Sequence, residues 1–181
     1  MYTLDFETNK IEDNTPTSPA PVGLSIKFDS KPSQYLAFNH PSGNNCTKQD
    51  VADTLHEVWN SGAPILMHNA KFDYRICMEH FKLPALKKGR LNDTMILAYL
   101  YDPREVSFAL KYLTDKYLDM PPVEQQNLKH YILTHVREAK ESNWGAYIAN
   151  APGNIVAPYA EADTDRTYLL YRHLITMVHD K

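Results

Sequence analysis

The first eight residues alternate between apolar and polar side chains, and a period of two residues predicts a β-strand. Tyr2, Leu4 and Phe6 form its apolar face. Asp5 and Glu7 fall at the intervening positions, so both carboxylates project from the other face. Like charges held close together repel each other, and a divalent cation such as Mg²⁺ or Mn²⁺ relieves that repulsion. The pattern therefore predicts either a metal-binding strand or a strand end with two solvated acids.

Further segments of the chain predict an α/β arrangement. Residues 22–28 alternate in polarity and residues 34–38 follow a Lys-Pro-Ser turn, so we expect an antiparallel meander with the first strand. A helix capped by Thr47 then precedes a short apolar strand over 64–67, which is expected to pair parallel to the first strand. Residues 9–21 are rich in Asn, Thr, Ser and Pro and predict a loop.

Apolar residues at helical spacing predict the other helices. A helix over 69–81 follows the fourth strand, and 91–101 is predicted as a brief strand that passes into a helix. Ser107 is predicted to cap the next helix, whereas residues 119–150 show little periodicity. A long last helix is predicted over 155–178. Its expected features are Pro158 in the first turn and a packed face of Leu169, Leu170, Leu174, Ile175 and Val178.

Length, charge and cysteine content limit the class of protein. A chain of 181 residues is long enough for a real hydrophobic core, so we expect a single domain over residues 1–181. It has no apolar run of about 20 residues and no signal-peptide pattern, which predicts a soluble intracellular protein without a membrane partner. Cys46 and Cys77 have no ligand at zinc-site spacing. The net charge of −3, from 19 basic and 22 acidic side chains, indicates no general basic surface for nucleic acid.

Two further motifs contain acids that are candidates to join Asp5 and Glu7. Asp73 lies in the first turn of the helix that follows the fourth strand, and ligands of open α/β sheets bind at this end of the strands. Tyr159 and Asp163 are four residues apart, so they share one face of the last helix. Taken singly, Asp73 is also explained as a solvated acid favoured by the helix dipole. Asp163 is likewise explained as a surface acid beside a half-buried tyrosine.

The three motifs are Asp-x-Glu, Asn-x-x-Phe-Asp and Tyr-x-x-x-Asp in chain order. This pattern resembles the DEDD superfamily of 3′-to-5′ exonucleases, in the subclass whose last motif contains tyrosine. Lys71 and the segments 20–25, 92–95 and 159–163 resemble most the proofreading domain of family A DNA polymerases, particularly phage-type ones. The resemblance spans nearly the whole chain, with a looser match over 119–150. It implies an RNase H-like α/β fold, with a mixed five-stranded sheet flanked by helices.

The resemblance also implies a role for each motif residue, in hydrolysis of a single-stranded 3′ end with two divalent ions, Mg²⁺ or Mn²⁺. Asp5 would bridge the two ions, and Asp73 would hold the second of them. Glu7 and Asp163 would complete the site of the ion that activates water. Tyr159 would orient that water, because a phenol with an ordinary pKa near 10 is a poor base at neutral pH. Weaker candidates, for substrate binding, are Thr8, Asn69 and Lys71.

Other polar residues have simpler explanations. His68 and Asp73 also have the spacing of the histidine version of the last motif. They lie in the middle of the chain and overlap the second motif, so we treat the match as a coincidence. Asp93 is expected either to support the site or to cap a helix. Residues 87–90 form the one dense basic segment of the sequence, which we interpret as a solvated face.

These observations lead to one leading hypothesis and two alternatives. The leading hypothesis is a metal-dependent 3′-5′ exodeoxyribonuclease that removes nucleotides from single-stranded or mismatched DNA 3′ ends, as in proofreading. Because no polymerase segment follows the last predicted helix, three arrangements stay open: a subunit that serves a DNA polymerase in trans, an independent repair or nucleotide-scavenging enzyme, or a piece of a longer protein. The expected location is the cytoplasm, that of the host if the chain is phage-encoded. One alternative is an RNase D-type exoribonuclease, and the other is a non-catalytic single-strand-binding or polymerase-docking domain.

Overall fold

A mixed sheet of five strands forms the centre of the molecule. The computed structural model describes residues 1–12 and 14–179. The strands are β1 Tyr2–Thr8, β2 Pro21–Phe28, β3 Gln34–Ala37, β4 Ile65–Met67 and β5 Leu91–Asp93. Their order in the sheet is β3-β2-β1-β4-β5. β2 is antiparallel to β1 and β3, whereas β4 is parallel to β1 and β5. The predicted meander and the predicted parallel fourth strand are both confirmed.

Helices cover both faces of this sheet. Those in the described ranges are α1 Lys48–Asn60, α2 Ala70–His80, α3 Thr94–Tyr101, α4 Leu110–Leu118, α5 Val123–His135, a 3₁₀ helix Trp144–Asn150 and α6 Gly153–His179. Thr47 begins α1 with a capping box, because its hydroxyl accepts the Asp50 amide at 3.2 Å while an Asp50 carboxylate oxygen accepts the Thr47 amide at 2.7 Å. Thr47 is therefore the cap that the sequence predicts.

The two faces of β1 have different surroundings. Leu4 and Phe6 are buried in a core that also contains apolar side chains of α1 and α2. Thr3 and Ser25 are buried on the opposite face, where α6 packs across β1, β2 and β3. The Ser25 and Thr164 hydroxyls lie 2.9 Å apart and tie α6 to β2. The alternation in the sequence thus separates an apolar face from a polar face, and the acids of β1 lie on the polar one.

The start of α4 differs from the prediction. The sequence predicts Ser107 as the helix cap, but α4 begins at Leu110 and its N-cap residue is Ala109. The Ser107 hydroxyl instead accepts the Ala109 amide at 3.2 Å. It closes a tight turn before the helix, which is a local bond that serine forms in competition with capping.

The last helix begins earlier than predicted. It starts at Gly153, where the Gly153 amide donates to the Ser42 carbonyl at 2.8 Å. A β-carbon at Gly153 would lie 2.6 Å from that of Ala37, so the close approach of α6 to β3 requires glycine. Pro158 consequently lies in the second turn and not in the first.

The packed face of α6 agrees with the prediction only in part. Leu170 and Leu174 are fully buried, but Leu169 is 42% exposed and its prediction was wrong. Ile175 and Val178 are half-buried. Leu169 directly precedes Leu170, and successive helix positions are about 100° apart, so both cannot point into the same core.

Three residues lie outside the described part of the chain. Residue 13 belongs to the loop predicted over 9–21, and residues 180–181 belong to the predicted domain over 1–181. None of the helices between residues 1 and 179 combines the length and the apolar character needed to cross a membrane.

Candidate active site

Three carboxylates converge between β1 and α6. Asp5 and Glu7 come from β1 and Asp163 from α6, and one oxygen of each lies within 4.8 Å of the others. Glu7 and Asp163 are only 7% and 6% exposed. Within the described residues, Asp163 Oδ1 is buried without a hydrogen-bond partner. An oxygen-only set with an unpartnered buried lone pair suits a hard divalent cation such as Mg²⁺ or Mn²⁺.

Asp73 lies beside these three acids but in a different bonding arrangement. It stands in the first turn of α2 and is 3% exposed. Its Oδ1 accepts the Phe6 amide at 2.8 Å, which holds α2 against β1. Asp73 lines the same cavity as Asp5, Glu7 and Asp163, yet it is not within the group of three mutually close carboxylates. The four acids of the sequence motifs therefore share one site, with Asp73 at its edge.

The site opens into two neighbouring cavities. The first has a volume of about 290 Å³ and contains all four acids in its lining. The second has a volume of about 360 Å³ and lies beside the end of β1, with Thr8, Ile11 and Gly145 in its wall. Phe6, Glu7 and Phe72 line both cavities. The acids thus lie at one end of a longer depression.

Burial and mutual repulsion raise the pKa values of the acids in this site. Burial, assisted by Asp163, raises the pKa of Glu7 to about 8. Burial also raises the pKa of Asp73 to about 7, and it raises the pKa of Asp5 well above the ordinary value, with the neighbouring acids adding to the shift. Each shift means that the ionised cluster is costly without added positive charge. The cluster has the charge and the donor atoms that divalent ions require.

Lys111 supplies one positive charge, and the sequence patterns did not reveal it. Its ammonium donates to Asp163 Oδ2, and its side chain is 17% exposed. The same nitrogen lies 4.3 Å from the centroid of the Tyr159 ring, within the range of a cation–π contact. Lys111 is 52 residues from Asp163 on another helix, so no local spacing links the two.

Tyr159 lies one helical turn before Asp163 and lines the acid cavity. Burial and then the Asp163 carboxylate raise its pKa well above the ordinary value. The phenol therefore keeps its proton and acts as a hydrogen-bond donor. The Trp144 ring packs edge-on against it at 6.3 Å between centroids, which fixes the ring beside the acids.

The weaker candidates lie around the rim of the site. Asn69 lines the acid cavity, and Thr8 lines its neighbour while its hydroxyl donates to the Asn9 carbonyl at 2.9 Å. Lys71 is exposed in the first turn of α2. It has no ion pair within the described residues. Asn69 and Lys71 are exposed, and Thr8 is half-buried.

Asp93 and His68 hold the backbone around the site. Asp93 caps α3 through the Met95 amide at 2.8 Å. It also accepts the amides of Asn69 and Ala70 at 3.0 and 2.8 Å. His68 lies 2.8 Å from the Thr94 hydroxyl and 3.0 Å from the Phe108 carbonyl. Since a carbonyl only accepts, His68 Nε2 carries the proton.

The basic segment is not a continuous patch. Arg90 is half-buried, and its guanidinium donates to the carbonyls of Val58, Trp59 and Ala63 at 2.8 to 3.2 Å. It therefore completes the C-terminal end of α1, while Lys87 and Lys88 remain at the surface near it.

Comparison with known proteins decides the family. The model of a family described as 3′-5′ exonuclease, defined on family A DNA polymerases, matches residues 3–179. The chain belongs to this family. It is 32% identical over 164 residues to the DNA polymerase of Escherichia phage T5, a match that covers 87% of this chain and 18% of that protein. It is 26% identical to DNA polymerase I of Borreliella burgdorferi, covering 93% and 16%. This 3′-5′ exonuclease chain thus spans less than a fifth of the length of these relatives.

The fold has counterparts among solved structures. RNase D of Escherichia coli, an exoribonuclease, superimposes with a TM-score of 0.57 at 17% identity, covering 99% of this chain and 40% of that one. This similarity shows an RNase H-like fold, as the sequence resemblance implies. The family hydrolyses phosphodiester bonds and depends on divalent metals, and the acidic cluster of this chain offers the oxygen ligands that such metals require.

Proposed function

We propose that this chain removes nucleotides one at a time from the 3′ end of single-stranded or mismatched DNA. The observation that supports the proposal most is the convergence of Asp5, Glu7 and Asp163, with Tyr159 one turn away on α6. A nuclease needs charge at the point where the phosphodiester breaks and a donor that places the attacking water. The acid cavity contains both within one buried, shaped surface.

The four acids and Tyr159 each have a proposed role. Asp5 would contribute to the binding of both divalent ions, Mg²⁺ or Mn²⁺. Glu7 and Asp163 would hold the first ion, and Asp73 would hold the second. When bound, such ions polarise a water and neutralise the leaving 3′ oxygen. Tyr159 keeps its proton and orients the water by hydrogen bonding.

The neighbouring cavity is the proposed place for the terminal nucleotide. Its volume of about 360 Å³ suits a single nucleoside, and the half-buried Phe72 lines both this cavity and the acid cavity. Single strands are held by aromatic stacking and by basic side chains. Thr8 is proposed to contact the terminal nucleotide, and Asn69 and Lys71 the phosphate backbone.

DNA is the proposed substrate because the relatives at 26% to 32% identity are DNA polymerases. The similarity to RNase D concerns the fold, so an exoribonuclease is the second candidate. We further propose that the chain forms one domain over residues 1–181 and serves a DNA polymerase in trans. With DNA as substrate, the cytoplasm is its proposed location.

The test is degradation of matched 5′-labelled DNA and RNA oligonucleotides with Mg²⁺ or Mn²⁺. We expect a ladder that shortens the DNA from its 3′ end, and at least a tenfold slower reaction on RNA, a ratio that corresponds to about 1.4 kcal/mol. EDTA and Asp163→Asn should each abolish the ladder. The matched control is Asp165→Asn, which changes another acid of α6. Asp165 binds Lys27 and Ser33.

The outcomes separate the candidates. Faster cleavage of RNA would establish the exoribonuclease instead. Binding of the oligonucleotide without any product, in the parent and in Asp163→Asn alike, would establish the non-catalytic binding domain.

A further inference from the structure

One ammonium group lies inside the acidic cluster. Lys111 donates to Asp163 Oδ2, and among the ion pairs of the described residues this is the one that involves a cluster acid. Its charge also acts at a distance, since it opposes the rise in pKa of Asp5 and Glu7. A single side chain therefore compensates part of the charge of three acids.

The position of this ammonium conflicts with a bound divalent ion. Asp163 has two oxygens, of which Oδ2 accepts Lys111 and Oδ1 is buried without a partner in the described chain. An ion held by Asp5, Glu7 and Asp163 would lie next to the ammonium in a site of low dielectric constant, where like charges repel strongly. Ammonium and divalent ion therefore compete for the same carboxylate.

We propose that Lys111 is the counter-ion of the metal-free site and that its ammonium leaves Asp163 when a divalent ion binds. This inference rests on the proposed function, because it takes the cluster as the metal site. In the metal-free protein, Lys111 holds the face of α6 that contains Tyr159 and Asp163 in place. It is thus a positioning residue.

Tyr159 determines where the released ammonium goes. The Lys111 nitrogen lies 4.3 Å from the ring centroid of Tyr159, and a cation on an aromatic face is attracted by the ring quadrupole. This contact does not depend on the Asp163 carboxylate. Lys111 therefore loses its bond to Asp163 while its ammonium stays near the Tyr159 ring.

The first test measures the reactivity of individual lysines. An unprotonated amine reacts with an acylating reagent, so a buried, ion-paired ammonium is labelled slowly. We expect Mg²⁺ to raise the labelling rate of Lys111 at least threefold, as measured by mass spectrometry of peptides. Lys27 is the internal control, because it too is ion-paired, with Asp165 at 2.8 Å, and it is buried. Its rate should not change with Mg²⁺.

Two variants make the labelling specific. In Asp163→Asn, Lys111 should be labelled rapidly without Mg²⁺, and added Mg²⁺ should have no further effect. In Asp165→Asn, Lys27 should become reactive while Lys111 keeps its response to Mg²⁺. A role of Lys111 in fold stability alone does not produce this pair of results.

The second test measures metal affinity by the electron paramagnetic resonance signal of free Mn²⁺. Lys111→Met keeps a long side chain over Tyr159 and removes the competing charge, so Mn²⁺ should bind roughly tenfold tighter at pH 8.5, where protons compete least. Lys111→Arg keeps the charge and should bind Mn²⁺ within about twofold of the parent. Unchanged or weaker binding by Lys111→Met would overturn the inference.

The two tests also distinguish this inference from the proposed function. If neither Mn²⁺ nor Mg²⁺ binds the parent protein, both the metal site and the role of Lys111 are wrong. If metal binds and the labelling of Lys111 stays slow, the metal site stands and Lys111 is not displaced.

Discussion

The two faces of β1 differ in polarity, because one contributes to the apolar core and the other contains acids. On one face, the side chains of Leu4 and Phe6 join a buried apolar core with α1 and α2. On the other face, Asp5 and Glu7 lie against α6 close to Asp163. One strand thus contributes both to the part of the molecule that stabilises the fold and to the part that performs the chemistry.

The difference between the faces appears in their electrostatics. Each apolar side chain buried on the apolar face stabilises the folded state. Burial of the ionised acids destabilises the folded state, and the raised pKa values of these carboxylates reflect that cost. A protein built only for stability would not place three acids there, so the acidic face indicates a function. Three substitutions, in order of expected effect, and one change of pH test this division.

Asp5→Asn should have the largest effect, and only on activity. A neutral amide binds a divalent ion much more weakly than a carboxylate does, and a loss of about 4 kcal/mol of transition-state stabilisation lowers the cleavage rate by roughly 10³-fold. The free energy of unfolding should stay equal or rise, since one buried like charge is removed. Rates on a labelled oligonucleotide and urea unfolding measure the two quantities. A strongly destabilised Asp5→Asn would contradict the division.

Leu55→Ala should show the reverse behaviour. Leu55, a residue of α1, is fully buried in the apolar core, and truncation of such a side chain costs about 2 to 5 kcal/mol in the free energy of unfolding. The cleavage rate per folded molecule should stay within about twofold of the parent, because the acids do not move. Leu169→Ala, at an exposed position of α6, is the control and should change stability by about 0.5 kcal/mol or less.

Tyr159→Phe should lower the cleavage rate by up to about 10²-fold through misplacement of the water. The ring remains, so its contacts with Lys111 and Trp144 and the metal affinity should not change. Single-turnover rates and Mn²⁺ titration measure these effects. Tyr99→Phe, at an exposed tyrosine, serves as the control. A loss of metal binding in Tyr159→Phe would show that the phenol belongs to the metal site.

The fourth test is the pH dependence of stability in the metal-free protein. The pKa values of Glu7 and Asp73 are raised to about 8 and about 7, so the folded state binds more protons than the unfolded state between pH 4.5 and 8. The free energy of unfolding should therefore fall as pH rises through this window, by about 1.4 kcal/mol per pH unit for each extra proton. Urea unfolding from pH 5 to 8 measures the slope. Mg²⁺ should abolish it, and a slope that Mg²⁺ leaves unchanged would place the titrating groups elsewhere.

The sequence predicts those parts of the fold and site that depend on local spacing. The alternation over 1–8 is enough to place Asp5 and Glu7 on one side of a strand. The interval between Tyr159 and Asp163 is enough to place them on one helix face. Thr47 and Asp50, three residues apart in the sequence, likewise form a helix cap.

What the sequence does not predict depends on distant contacts. Lys111 reaches Asp163 from another helix. In the sequence of an amphipathic helix, a lysine that forms a buried ion pair cannot be distinguished from a lysine that is exposed to solvent. The start of α6 depends on the close packing of Gly153 against Ala37. Ser107 has the chemistry of a cap, but the chain direction after it determines that its bond closes a turn.

The most direct measurement of the central claim is anomalous diffraction from crystals grown with Mn²⁺ and a single-stranded DNA oligonucleotide. We expect a Mn²⁺ peak bound by Asp5, Glu7 and Asp163, a second peak bound by Asp5 and Asp73, and the 3′ end of the DNA beside them. A DNA strand bound elsewhere on the surface, with no anomalous peak at these acids, would contradict the assignment of this face as the active site.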